Sequence, residues 1–528
     1  MTGQAMRVAA RAGAGVTWRR WWPWLLVLGA ALLPVLAAQV PPLLDYHNHL
    51  ARQYILARAD GSDALAQWYR TSWHAAPYLA FDGIVQAFAR LVPVDVAGKI
   101  FLVLMFGLLA AAPLALSQAV NGRVTPVALL GLLFVYNDTV RLGFTNYLFG
   151  IGFALCAAAL WIRWRTGPVL SRLLFFPLLC SLVFFSHLLG FVLYVLVIGS
   201  YEFGRWFDDA RQPGGGWRWR LGRDQRLNLA SIALQCALPL AIFAAFGPST
   251  ESITRNTYGG LARKFGLLLG APGYLMPPVL WSFDRVLQVA LPLTLLALLV
   301  SRRWRIDPAM RWPLAALLML FFAKPMELFS GWGADHRLLP ALGLLLMGSM
   351  RPAAVAPGGG RGRVERWALV LAALLVMVRV AAVADQWRKS NPVYAEYLQA
   401  LELVPDGSRM YFAFGHAGGQ NIGAYPVYHL PTLVLARRDV YVPFLFATDS
   451  GGFTLAYRKE VEPWQRLSPG PVLLNGASPD WAALSGRFDY YLLVDERYFR
   501  DPVPASLSPV FQGKSVKLYR ASAAAAPR

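Results

Sequence analysis

The chain has 528 residues, 56% of them hydrophobic and only 15% charged, with a formal charge of +21. Soluble proteins carry roughly a quarter charged residues, and apolar runs long enough to cross a bilayer recur from residue 22 to residue 384, so a soluble globular protein is excluded. The arginine surplus does not point to nucleic acid, because it falls in short clusters between the apolar runs, where the positive-inside rule puts it.

Residues 1–20 carry arginines without a long apolar core and are expected to be cytoplasmic. The first run, 21–40, ends in "VLAAQ", which loosely resembles a cleavage site; the many spans that follow favour a retained anchor. Further helices are expected near 96–118, 124–136, 143–162, 228–247, 278–300, 312–328, 337–350 and 367–384. The stretch 172–203 is long for one crossing and short for two. Arginine-rich segments flank it on both sides, "RWRTGPVLSR" and "GRWFDDARQPGGGWRWRLGRDQR", which puts both ends in the cytoplasm. It is therefore read as two short crossings turning near Ser186–Gly190, with a re-entrant pair as the alternative. The total is about eleven spans with the N-terminus inside. The three cysteines, Cys156, Cys180 and Cys236, are isolated within apolar runs and form neither a disulfide framework nor a thiolate metal site.

This topology places residues 41–95, 136–146, 248–277 and 330–337 on the outer face, together with everything from 385 to 528. The Gly-rich pieces 213–216 and 358–360 read as cytoplasmic linkers. The tail has a helix start at "NPVYAEYLQALELV", with Pro392 in its first turn. Strand-like runs follow: "RMYFAF", "DVYVPFLF", "PVLLN", "DYYLLVDE" and "SVKLYR". The fold class is mainly α: a polytopic membrane helical bundle over 21–384, with a C-terminal extracytoplasmic α/β domain over 385–528.

Charged groups at a bilayer are costly, and their placement is informative. In "DYHNHLARQYILARA", Asp45, His49 and Arg52 are spaced by four and three. They share one face of a helix expected to lie along the membrane surface. A carboxylate, an imidazole and a guanidinium together can accept a proton and hold a phosphate; the plain alternative is an N-cap aspartate with solvated neighbours. Asp138 and Arg141 stand in the short loop "YNDTVRLGFTN", as a second polar site or a helix-capping pair. His187 lies at the turn of the 172–203 hairpin, functional or a satisfied structural group. Asp335, His336 and Arg337 precede a late span in "GADHRLLPALGLLL", where an arginine suits a phosphate anion or serves as an interfacial anchor. Lys324 and Glu327, three apart, read as a pair. The four clusters converge on one face of one bundle, whereas a transporter should carry its polar groups at the midplane on broken helices.

An acid just after the first span, a second acid in a later outer loop, and arginine followed by "LLP" before a late span resemble the GT-C class of membrane glycosyltransferases. That class includes protein O-mannosyltransferases and the lipid A aminoarabinose transferase. "HRLLPALGLLL" is similar to their "RYLLP" element. The resemblance covers roughly 20–384 and implies a sugar donor on a polyprenyl-phosphate carrier. It also implies Asp45 as catalytic acid or base, Asp138 as the second acidic position, and Arg337 as the phosphate ligand. His49, Arg52, Arg141, His187, Asp335 and His336 are the further candidate substrate-binding residues. Two departures stand out. Several members carry paired acids in the first loop, whereas Tyr46 and His47 follow Asp45 here, so no metal site is indicated and the cofactor is unknown. The "WWDYG" element of oligosaccharyltransferases is absent. The expected function is therefore transfer of a sugar to a lipid, glycan or protein acceptor at the outer face of the plasma (inner) membrane. The expected partners are the bilayer and the lipid-linked sugar, with no nucleic acid. The alternatives are a transporter or flippase of lipid-linked saccharide, and a non-catalytic scaffold of the same fold.

Overall fold

The computed structural model describes residues 22–58, 61–71, 73, 75–211, 217, 220–246, 257–274, 281–327, 333–353, 361–416, 427–447, 454–465, 472–473 and 477–522. The expected cytoplasmic segment 1–20 and both Gly-rich linkers lie outside these. The run 21–40 is two helices, α1 (Trp22–Ala30) and α2 (Leu33–Ala37), because Pro34 has no amide hydrogen to continue the first and sits in the opening turn of the second. The first large loop holds α3 (Tyr46–Arg58), α4 (Asp63–Trp68), β1 (Tyr69–Thr71) and α5 (Leu79–Ala89). Then come α6 (Val94–Asn121), the short α7 (Pro126–Leu130) where a longer helix was expected, α8 (Asp138–Arg141) and α9 (Thr145–Trp164). The 172–203 stretch becomes α10 (Phe176–Ser186) and α11 (Leu188–Ala210), parted at His187, whose backbone is extended at φ −169 and ψ 135. The next elements are α12 (Arg223–Phe246), α13 (Leu261–Gly270), α14 (Trp281–Val300), β2 (Trp304–Ile306), α15 (Arg311–Ala323), α16 (Leu338–Ser349), β3 (Met350–Pro352) and α17 (Arg361–Glu402). Helix α15 stops at Ala323, short of 328, because Pro325 forces Lys324 into an extended conformation.

Six helices among the described residues are long and apolar enough to cross a membrane: α6, α9, α11, α12, α14 and α17. Helices α5, α15 and α16 are apolar but shorter, as is α10 with the π-helical turn that leads into it. The chain is an integral membrane protein. Helices α6 and α9 form the centre of the bundle. Helices α12 and α14 turn Leu234, Leu238, Val289, Leu293 and Leu296 outward. A membrane helix can expose such side chains because lipid is as apolar as they are. Helices α9 and α11 meet at Gly150 and Gly190: a Cβ on Gly190 would lie 2.8 Å from the Gly150 carbonyl oxygen, so only a small residue permits the crossing. Arg379 of α17 is buried and ion-paired with Asp284 of α14, as charges at such depth require. At one end of the bundle, Glu202 of α11 accepts from Trp161, Arg165 and Asn228, tying α9 to α12.

Pro392 does not open a helix. It lies within α17, which runs unbroken across the expected boundary at 385. Beyond it lie β4 (Met410–Gly415), β5 (Leu455–Tyr457), β6 (Val472–Leu473), β7 (Tyr490–Val494), β8 (Leu507–Gln512) and β9 (Val516–Ala521). Five of these form a sheet in the order β6-β4-β7-β9-β8, parallel through β6-β4-β7 and antiparallel beyond. The run 439–446 carries no regular strand; it is fastened to α3 instead, where Asn48 donates to Phe444 O at 2.7 Å and accepts from Phe446 N at 2.8 Å. Strand β5 pairs antiparallel with β1 of the first loop. The tail is thus joined to the first loop by backbone pairing as well as side chains.

Candidate functional site

The loop at α8 is fastened onto the chain just before α3. Leu44 N donates to Arg141 O at 3.0 Å and Asp45 N to Leu142 O at 3.1 Å. Gly143 makes this possible: it sits at φ +80, and a Cβ there would lie 2.6 Å from Asp45 N. The Asp45 carbonyl accepts the first α3 bond, from His49 N at 3.0 Å, so the carboxyl is held by its backbone on both sides. Its side chain is 20% exposed. Burial pushes the carboxyl up to about 7, against the pull of the Arg337 cation, which lowers it.

Arg337 is the N-cap of α16, with its guanidinium carbon 4.2 Å from the centre of the Phe144 ring. Burial lowers its pKa, and Tyr147, Tyr78 and Asp45 oppose that. His187 caps α11, its Nδ1 accepting from Leu189 N at 2.9 Å, and its ring meets Tyr78 and Tyr147 edge-on at 4.9 and 5.4 Å. Burial, with Arg337 and Lys324 adding to it, keeps His187 neutral at pH 7. Lys324 is pushed down to about 8 by burial and by Arg337. Asp45, Arg337, His187, Lys324, Tyr78 and Tyr147 therefore gather at one end of the bundle.

Beside them, Asp138 is paired with Arg141, and its other oxygen lies 3.8 Å from His336 Nδ1. Asp335 points away into a buried cluster, 2.6 Å from Arg263 and 3.9 Å from Lys264. Lys264 in turn donates to the carbonyls of Phe321, Phe322 and Lys324, at 2.7–2.8 Å, and so caps the C-terminus of α15. Glu327 accepts from the Thr257 hydroxyl at 2.8 Å, a partner the Lys324–Glu327 reading did not include.

Helix α3 is covered by protein: eight of its residues, Tyr46, His47, Asn48, Leu50, Ala51, Arg52, Gln53 and Ile55, are buried. Along the Asp45–His49–Arg52 face, Asp45 meets His429, and His49 stands between His429 and Arg52. Arg52 forms a buried ion pair with Asp82 of α5 at 2.8 Å and donates to Thr454 of the tail at 3.2 Å. His49 lies between the rings of Phe81 and Phe446, 3.3 Å from Arg52. Burial and Arg52 hold it well below the usual histidine range.

His429 of the tail went unrecognised in the sequence. Its Nε2 lies 3.6 Å from Asp45 Oδ1, and burial lowers its pKa to about 4. Asn48 Oδ1 accepts from Phe446 N, so the Asn48 amide nitrogen donates to His429 Nδ1 at 3.2 Å. The imidazole proton is then on Nε2, the nitrogen facing Asp45. No spacing signals this, since 384 residues separate the two side chains. The pair Arg263–Lys264 was legible, as adjacent cations in an expected outer loop. Among the described residues no group of three or more His, Cys, Asp or Glu side chains is arranged to hold a metal ion.

No known protein family and no curated protein matches the chain. Among solved structures it is similar to ArnT from Cupriavidus metallidurans, a crystal structure bound to undecaprenyl phosphate. The TM-score is 0.55 at 14% identity, over 96% of this chain and 99% of that one. At that identity the likeness is one of fold, and the fold is GT-C-like.

Proposed function

We propose that the chain is a membrane glycosyltransferase that moves a sugar from a polyprenyl-phosphate carrier to a lipid, glycan or protein acceptor. In this reading it has about eleven spans, and the Asp45 end of the bundle and the tail face out of the cytoplasm. One observation carries the reading: a carboxyl whose pKa is raised to about 7 within the field of the half-buried Arg337, in a fold like that of a protein crystallised with undecaprenyl phosphate. A carboxylate of that basicity is suited to take a proton at neutral pH.

Asp45 removes the proton of the acceptor hydroxyl as the acceptor oxygen attacks C1 of the sugar. The C1–O bond to phosphate breaks, and the polyprenyl phosphate leaves with the electron pair. Arg337, with Lys324 beside it, stabilises the negative charge on the departing phosphate. His429 remains neutral and turns its Nε2–H toward Asp45, fixing the carboxylate as a positioning residue. Asp138 and Arg141 hold the loop that carries Asp45, and His336 completes that wall. Arg52 and His49 join α3 to α5 and the tail.

The test combines lipid analysis with complementation. A deletion strain should accumulate a polyprenyl-phosphate-linked sugar, and wild-type protein but not Asp45→Asn should clear it at equal abundance. Full clearance by Asp45→Asn would move the assignment to a non-catalytic scaffold. Reporter fusions at Gly215 and Gly359 should read cytoplasmic and one at Gly476 external; a cytoplasmic Gly476 would overturn the orientation.

A further inference from the structure

A cavity of about 310 Å³ opens between α17 and the tail sheet. Its position follows from topology. The chain leaves β4 toward β6 on one edge of the sheet and leaves β7 toward β8 on the other, so the neighbours β4 and β7 part at their carboxyl ends. In open α/β sheets such a switch point leaves a crevice beyond the strand ends, where ligands bind. Here the crevice is lined by Gly415 at the end of β4 with His416 after it and by Asp495 and Tyr498 after β7, and α17 closes it.

The lining selects the ligand. Four aromatic side chains line it, Tyr397, Phe414, Tyr428 and Tyr498, and so do the polar Lys389, Ser390, Asp495 and Ser515. Tyr394 also lines the space, beside Ser390, and its buried hydroxyl makes no well-formed hydrogen bond among the described residues. Asp495 is held by Arg497 at 3.0 Å. Aromatic rings together with hydrogen-bonding side chains match a sugar ring, whose C–H face is apolar and whose hydroxyls radiate from its edge. A phosphate is disfavoured, because Asp495, which opens the turn after β7, lines the cavity where a phosphate site presents helix amides. The volume falls at the lower end of the roughly 300–1,000 Å³ usual for small-molecule sites, a size for one or two sugar rings rather than a lipid chain.

The cavity lies close to Asp45. Tyr428 lines it, and the next residue, His429, faces Asp45 Oδ1 at 3.6 Å. Tyr394 meets the ring of His47, two residues beyond Asp45, edge-on at 5.9 Å. We infer that this switch-point cavity is a carbohydrate-binding subsite that holds a saccharide of the acceptor next to Asp45. The inference rests on the transferase reading only in naming the saccharide as the acceptor's.

The experiment is saturation-transfer NMR on the full-length protein in detergent, with the methyl glycosides of glucose, galactose, mannose and N-acetylglucosamine as probes and inorganic phosphate as a competitor. At least one glycoside should bind and resist phosphate. Asp495→Asn, which keeps a residue tolerant of the φ of 49 found there, and Tyr498→Ala, at a partly exposed site, should each weaken it about tenfold or more. Asp45→Asn should bind the same glycoside as wild type does, so a failed transfer assay and a failed sugar site are separate results. If no glycoside binds, if phosphate displaces it, or if both cavity variants bind normally, the assignment is overturned.

Discussion

Two carboxylates stand near arginines at the same end of this bundle, and they are used differently. Asp82 touches Arg52 at 2.8 Å. Its oxygens also accept from Gln53 and Thr454, each at 2.5 Å, so its acceptor positions are filled by α3 and the tail. Asp45 feels the Arg337 cation yet keeps its pKa near 7, with a neutral imidazole 3.6 Å away. The first is a joint, and the second is the group to which the proposed function gives the proton transfer. A carboxylate engaged by an arginine, an amide and a hydroxyl is committed to holding segments together, whereas a carboxyl poised near neutral pH can exchange a proton. Proximity of an acid and an arginine is therefore a poor guide to function until the remaining contacts are known.

The sharpest way to break this contrast is substitution of the two acids' partners and of Asp45 itself. Asp45→Asn keeps the shape but cannot accept a proton at neutral pH. It should lower sugar transfer roughly 10²–10⁴-fold, the usual contribution of a general base, while undecaprenyl phosphate binding, read by native mass spectrometry, is retained. Near-normal transfer would remove Asp45 from catalysis.

Arg52→Ala should act on stability instead. Leaving Asp82 buried without its cation should cost about 3–5 kcal/mol, seen as a large fall in melting temperature in detergent. The fraction that remains folded should bind undecaprenyl phosphate as wild type does. A lipid-binding defect at unchanged stability would return Arg52 to the site.

Arg337→Lys keeps the charge but loses the planar fork. It should weaken undecaprenyl phosphate binding by about tenfold, the scale of roughly one charge-assisted hydrogen bond, with more residual transfer than Asp45→Asn. Arg337→Gln also removes the influence that lowers the Asp45 pKa, so it should displace the pH profile. In wild type, kcat/KM should rise about tenfold per pH unit below about 7 and level off above, since only the ionised carboxyl is a base. Without the cation the inflection should move to higher pH. An unmoved inflection would mean that another group titrates.

Two smaller effects sharpen the picture. The folded-state pKa of Asp45 lies above its ordinary value, so the stability it contributes is present below about 4 and is lost as pH rises through about 7. Asp45→Asn lacks that loss, so its melting temperature should gain on wild type between those values and hold the gain above. His429→Gln should lower transfer only a few-fold, as expected of a residue that positions rather than reacts, and should shift the pH inflection without changing undecaprenyl phosphate affinity. A loss as large as that of Asp45→Asn would make His429 a direct participant.

Chemistry along the chain was enough to predict a helical membrane bundle, because long uncharged runs exclude a soluble fold. The polar Ser186–His187 pair between apolar stretches marked the break between α10 and α11, and hydrophobic runs marked β4, β7 and β9. These are local properties of length, charge and side-chain polarity. The sequence also drew attention to Asp45 and Arg337. It did not separate them from Arg52, which shares the helical spacing of Asp45 yet is committed to Asp82 and Thr454. The pairing of Arg52 with Asp82, the arrival of His429 from the tail, and the crevice between β4 and β7 were decided only in three dimensions. Each depends on contacts between segments far apart in the chain, and spacing along one helix does not specify which distant segment will cover each of its faces.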